Sequence, residues 1–172
     1  MVLPRFLILV GALELAEAGS AVQPWQAFFD PPQSDLRLQL DKARAESRRG
    51  IVAMYHFDEC PGCNQMKRDV LSSLAVQRWY RAQFVVLAID TRGERSVIGF
   101  DGATRTEKEH ARSARVFATP SFDFYDLEGA RVYRQVGGIY NAAEFVLLGQ
   151  YVATGASASQ SFEEFKRSRK GH

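Results

Sequence analysis

The chain has 172 residues, 46% hydrophobic and 12% aromatic, enough apolar material for one ordinary domain plus extensions and too much for a disordered chain. Its net charge of +2 is small and its charges are interspersed, so no basic patch points to nucleic acid. Two cysteines in all exclude a disulfide-rich scaffold.

The first element is an apolar stretch from Phe6 to Leu13 behind Arg5, followed by two small-residue cleavage patterns, Ala16-Glu17-Ala18 and Gly19-Ser20-Ala21. This reads as a secretory signal over residues 1–18, too short to span a membrane, and places the protein in the periplasm. Arg5 is its only basic side chain and Glu14 interrupts the apolar stretch. The alternative is therefore an N-terminal helix packed on a cytoplasmic domain. Residues 19–34 carry Pro24, Pro31 and Pro32 and read as an irregular lead-in. Residues 35–48 have an imperfect apolar face of Leu36, Leu38, Leu40 and Ala43 and predict a helix ended by Gly50.

Ile51 to Phe57 is a nearly continuous apolar run, the pattern of a strand buried on both faces. A helix follows from Pro61, where a proline without an N–H fits the first turn. It breaks near Ser72-Ser73 and resumes to about Tyr80. Phe84 to Ile89 is a second buried strand, so strand, helix and strand make a βαβ unit with parallel pairing. Residues 91–104 read as irregular. Thr106-Glu107-Lys108-Glu109 matches a capping box that opens a helix to about Arg115. Thr119-Pro120 heads a strand from Ser121 to Tyr125, and Ala130 to Val136 pairs back on it antiparallel. Asn141 opens a last long helix. Residues 154–172 form an extension in which Ser161 starts a short helix carrying Phe162 and Phe165. The fold class is α/β, a central mixed sheet flanked by helices, over residues 35–153.

The two cysteines lie at Cys60 and Cys63, a Cys-x-x-Cys between a buried strand and the start of a helix. Dithiol–disulfide exchange needs that arrangement: the first thiol sits where unpaired N–H groups and the helix dipole favour a thiolate, and the second is one turn on. A purely structural disulfide closing so short a ring would constrain the unfolded chain little. A zinc site lacks ligands, although His56 offers a third ligand for a soft-metal carrier using Cys60, Cys63 and His56. No other cofactor is expected, the redox-active Cys60–Cys63 disulfide being the working group. Cys60, at the helix N-terminus and near the surface, is the expected nucleophile, and the shielded Cys63 resolves the mixed disulfide. Asp58 and Glu59 oppose the thiolate charge, which leans towards a reductant.

Cys60-Pro61-Gly62-Cys63 together with Thr119-Pro120, in register with the strands, resembles the thioredoxin fold. In thioredoxin-fold enzymes the matching proline is cis and lies against the disulfide, so the resemblance assigns Thr119 and Pro120 to substrate binding. Cys60 to Met66, Val70-Leu71, Thr106 to Glu109 and Ala118 to Phe122 further resemble the exported thioredoxins of bacterial sulfur-oxidation systems, the SoxW type. That implies a periplasmic protein kept reduced by a membrane electron donor and acting on an exported protein with a disulfide or functional cysteine; the chain is expected to work as a monomer. A disulfide oxidase or isomerase uses the same residues at a higher potential. The chain departs from thioredoxin at Met54, where a buried aspartate is expected, at Glu59 in place of a tryptophan, and in the order Pro61-Gly62. His56, Asp58 and Glu59 are the nearest candidates to tune the thiols.

Overall fold

The computed structural model describes residues 23–32 and 34–170. The expected signal at residues 1–18 lies outside the described residues. No helix among the described residues is long and apolar enough to cross a membrane.

A four-stranded mixed sheet in the order β2-β1-β5-β6 forms the centre. Strand β1 (Ile51–His56) pairs parallel with β2 (Val85–Asp90) and antiparallel with β5 (Ser121–Tyr125). Strand β6 (Arg131–Val136) closes the edge antiparallel to β5. The apolar run of β1 has the meaning read from the sequence: alternate residues feed two separate cores. Val52 and Met54 pack with Phe122, Phe124 and Phe145 on one face, and Ile51, Ala53 and Tyr55 with Leu40, Leu87 and Tyr125 on the other. Parallel pairing requires a crossover, and the crossover covers the first face.

Helix α1 (Leu36–Ala45) is capped by Asp35, whose side chain accepts from the Arg37 N–H, and it covers the second face. The crossover comprises α2 (Pro61–Met66), a π turn over Lys67–Leu71 and α3 (Leu74–Gln83). The break expected at Ser72-Ser73 is there; the widened turn ahead of it was not expected. Ser72 Oγ donates to the Lys67 carbonyl at 2.8 Å, tying the end of the widened turn back to its first residue. Residues 91–104, read as irregular, contain most of a small hairpin of β3 (Ser96–Ile98) and β4 (Thr104–Thr106). Three-residue strands are too short to show a period, and Gly102 at φ +76° makes the turn between them. The capping box is formed as written: Thr106 and Glu109 exchange side-chain-to-backbone hydrogen bonds at the start of α4 (Glu107–Ser113).

The lead-in is also more ordered than its prolines suggest. Residues Pro24–Phe28 form a 3-10 turn, and Phe28 is fully buried against Tyr80 and Phe145. Asp30 then caps the sheet edge, accepting from the Val86 N–H and pairing with Lys42 and Arg48. At the other end, α6 (Phe162–Lys170) packs Phe162 and Phe165 on Tyr151 of α5 (Ala142–Ala153).

Candidate active site

The chain leaves β1 at His56, turns through Phe57-Asp58-Glu59 and enters α2 with Cys60 as its N-cap. Cys60 has extended backbone (φ −72°, ψ 110°), so its side chain folds back over the open end of the helix. There Sγ accepts a hydrogen bond from the Cys63 N–H at 3.1 Å, the role a serine or aspartate oxygen plays at other helix starts. Pro61 fills the first helical position and sacrifices no bond. Cys60 and Cys63 are joined by a disulfide with 5.2 Å between their Cα atoms.

The second strand of the site comes from the head of β5. The Thr119–Pro120 bond is cis. Thr119 Oγ1–H donates to Cys60 Sγ at 3.3 Å, so Sγ has two donors, one from each side. A Cβ on Gly62 would lie 3.3 Å from Pro120 Cδ and 2.8 Å from Tyr140 Oη. The reversed order Pro61-Gly62 therefore puts the residue without a side chain where the Pro120 loop and Tyr140 come closest. Pro120 is buried and its carbonyl accepts from the Gly137 N–H. The N–H and C=O of Thr119 make no hydrogen bond among the described residues, which leaves them free to pair with an extended partner segment.

The expectation that Cys60 lies near the surface is corrected: it is buried at 2% exposed, while Cys63 is shielded as expected at 0%. Two tight approaches that local sequence does not report, Thr119 onto Sγ and Pro120 onto Gly62, close over the motif. What separates the two sulfurs is hydrogen bonding. Donors aimed at Cys60 Sγ stabilise a thiolate there when the disulfide is reduced.

The three neighbouring candidates separate. Glu59 is exposed and pairs with the exposed Arg92 at 3.1 Å, a surface ion pair of little energetic consequence. The Arg92 guanidinium also stacks 3.8 Å from the Phe57 ring centre. Asp58 is exposed and has no ion pair among the described residues. His56 faces a separate cavity, and burial, helped by the Lys67 charge, lowers its pKa below the usual histidine value. Among the described residues no three His, Cys, Asp or Glu side chains are placed to hold a metal ion; His56 lines that cavity, and the two cysteines are joined to each other.

Sequence reading missed Tyr140, Phe117 and Lys67. Tyr140 packs over Gly138 and Gly62, and only the fold brings it there. Phe117 is 91% exposed two residues before Thr119; a large aromatic flanking the Thr-Pro motif was the available signal. Lys67, four residues after Cys63, is buried, which nothing in its local sequence announces.

A profile of the thioredoxin-like domain family matches residues 36–153. The chain is 31% identical to a thioredoxin from Thermus thermophilus, covering 72% of this chain and 88% of that one, with a TM-score of 0.53. It is 21% identical to a putative disulphide-isomerase from Bacteroides thetaiotaomicron, covering 77% and 96%, with a TM-score of 0.55. A thioredoxin-fold protein from Helicobacter pylori is 15% identical over 70% and 80% of the two chains, with a TM-score of 0.58. These last two likenesses speak to fold alone. No protein of curated function matches the chain.

Proposed function

The chain belongs to the thioredoxin-like domain family, and we propose that within it the protein is an exported thiol–disulfide reductase of the SoxW type. The general activity, thiol–disulfide exchange at Cys60 and Cys63, follows from the family and the disulfide. The reductive direction, the compartment and the partners are the proposal.

In the reduced protein the Cys60 thiolate attacks one sulfur of a partner disulfide. A Cys60–partner disulfide forms, and the partner's other sulfur leaves as a thiolate and takes up a proton. Cys63 then loses its proton, attacks Cys60 Sγ and releases the partner as a dithiol. Two electrons pass to the partner, and the Cys60–Cys63 disulfide is restored. No cofactor beyond that disulfide takes part. A membrane electron donor returns two electrons to begin the next cycle.

The observation that carries the roles is the pair of donors on Cys60 Sγ, the Cys63 N–H and the Thr119 hydroxyl. Thr119 also offers its free backbone groups to the partner, next to the exposed Phe117. The reductive direction rests on Asp58, the exposed carboxylate two residues before Cys60 that makes no contact ion pair among the described residues, and on the motif resemblance. Its charge disfavours the thiolate and so makes the disulfide less oxidising. The N-terminal pattern at residues 1–18 supports export to the periplasm, with the domain over residues 35–153 working as a monomer.

The test is the reduction potential, measured by equilibration with glutathione. A value near the thioredoxin range, about −270 mV, is expected; a value near about −120 mV would make the protein an oxidant instead. Cys63→Ser, which traps the mixed disulfide, should capture a membrane electron donor and an exported protein. N-terminal sequencing from an exporting host should find a chain beginning near Gly19 or Val22; an intact Met1 would remove the periplasmic reading.

A further inference from the structure

A cavity of about 1020 Å³ lies between the 3-10 turn of the lead-in, β2 and the π turn after α2. Its described lining includes none of Cys60, Cys63, Thr119 and Pro120, so it is distinct from the disulfide site. Much of the wall is apolar, with Trp25, Phe29, Leu87 and Val97 among its members.

Most charges in this lining are already committed. Asp30 is held by Lys42 and Arg48, Glu107 pairs with Arg95, and Arg81 donates to the Ala27 carbonyl. Lys67 is the exception among the cations. Its side chain is carried inward by the π turn, the residue is 6% exposed, and its ammonium sits 4.6 Å from the Trp25 ring centre. The ammonium makes no hydrogen bond or contact ion pair among the described residues. The nearby carboxylates of Asp58 and Asp90 act on it only through space, and Asp58 stands exposed at the rim. On the same lining, the buried Nδ1 of His56 has no hydrogen-bond partner. A buried cation given only a ring face, beside an unsatisfied ring nitrogen, is an expensive arrangement unless something fills it. Burial lowers the Lys67 pKa, and an anion bound there would favour the charged form again.

We propose that this cavity binds an amphipathic organic carboxylate, with its head on Lys67 beside His56 and its apolar body against Trp25, Phe29 and Leu87. The volume, at the upper end of ordinary ligand pockets, suits a tail of medium length. The site stands apart from the thiol chemistry, and its test needs no redox activity.

The full chain carrying Trp79→Phe leaves Trp25 as the single tryptophan reporter. Titration with decanoate should give a saturable change in Trp25 fluorescence, and decylammonium should give none over the same range. Lys67→Met, which keeps the length of the side chain, should weaken decanoate about tenfold or more, since a desolvated charge-assisted contact is lost. Ala88→Phe, which fills the cavity from β2 with Lys67 in place, should also remove binding. Both variants are titrated at a temperature where thermal unfolding shows each of them fully folded. No saturable response, equal affinity for decylammonium, or unchanged decanoate affinity in Lys67→Met would each overturn the assignment.

Discussion

Replacing Arg134 with methionine should damage the hairpin that presents Pro120. Asp123, in the centre of β5, is fully buried, and its carboxylate accepts a bidentate pair from the Arg134 guanidinium on β6. The same guanidinium donates to the carbonyls of Ala114 and Arg115, tying the segment ahead of Thr119–Pro120 to the sheet. Removing one partner of a buried ion pair costs about 3–5 kcal/mol, mostly because the other charge is left without water or counter-ion. Arg131, at 3.5 Å, and the Tyr125 hydroxyl, at 3.1 Å, still face Asp123, so the lower end applies, about 3 kcal/mol. Asp123→Asn keeps the shape but loses charge-assisted bonds, and should cost about 2 kcal/mol. With both changes no buried charge is stranded, and the cost should be about 3–4 kcal/mol, short of the sum by about 1 kcal/mol or more. Urea unfolding of the four proteins measures this cycle, and Arg134→Met alone should lower Tm by about 6–12 °C. A loss under about 1 kcal/mol, or single costs that add within about 0.5 kcal/mol, would refute the reasoning.

Phe28→Ala should cost about 3–5 kcal/mol in the same assay, because the ring is fully buried against Tyr80 and Phe145; a loss below about 1 kcal/mol would make the lead-in dispensable. Burial works to raise the Asp30 pKa, but the Lys42 hydrogen bond, the Val86 N–H and the Arg48 and Lys42 charges outweigh it and hold it below 3.8. Its stabilising contribution is therefore present above the ordinary carboxylate value and is lost as pH falls through the lowered folded value, so Asp30→Asn should flatten the stability–pH curve below about pH 4. Thr119→Val removes one of the two donors on Cys60 Sγ and should slow alkylation of the reduced Cys60 about tenfold at neutral pH, the scale of one lost hydrogen bond to a charged sulfur; an unchanged rate would mean that the Cys63 N–H suffices. Lys67→Met should raise stability by about 1 kcal/mol, since a buried ammonium that makes no hydrogen bond or contact ion pair among the described residues is exchanged for an apolar side chain of similar length.

By itself the sequence determined the elements whose signals are local. The apolar run at Ile51, the capping box at Thr106 and Glu109 and the Asn141 helix start are each written within a few residues, and the structure carries all three. The Cys60–Cys63 pair and the Thr119–Pro120 head of β5 were legible as types and order, because the spacing between strand end and helix start sets their chemistry. The hairpin of β3 and β4 was not legible, since three residues carry no period. Tertiary structure alone decided which groups face the sulfur: the Thr119 hydroxyl lies 59 residues from Cys60 in sequence and 3.3 Å from its Sγ. It also decided that Cys60 is covered, that Glu59 pairs with Arg92, and that His56 and Lys67 line a common cavity away from the disulfide. Those outcomes depend on burial and on contacts across the sheet. A side chain's charge and reactivity are set by the atoms around it in space, and local patterning specifies only the atoms beside it along the chain.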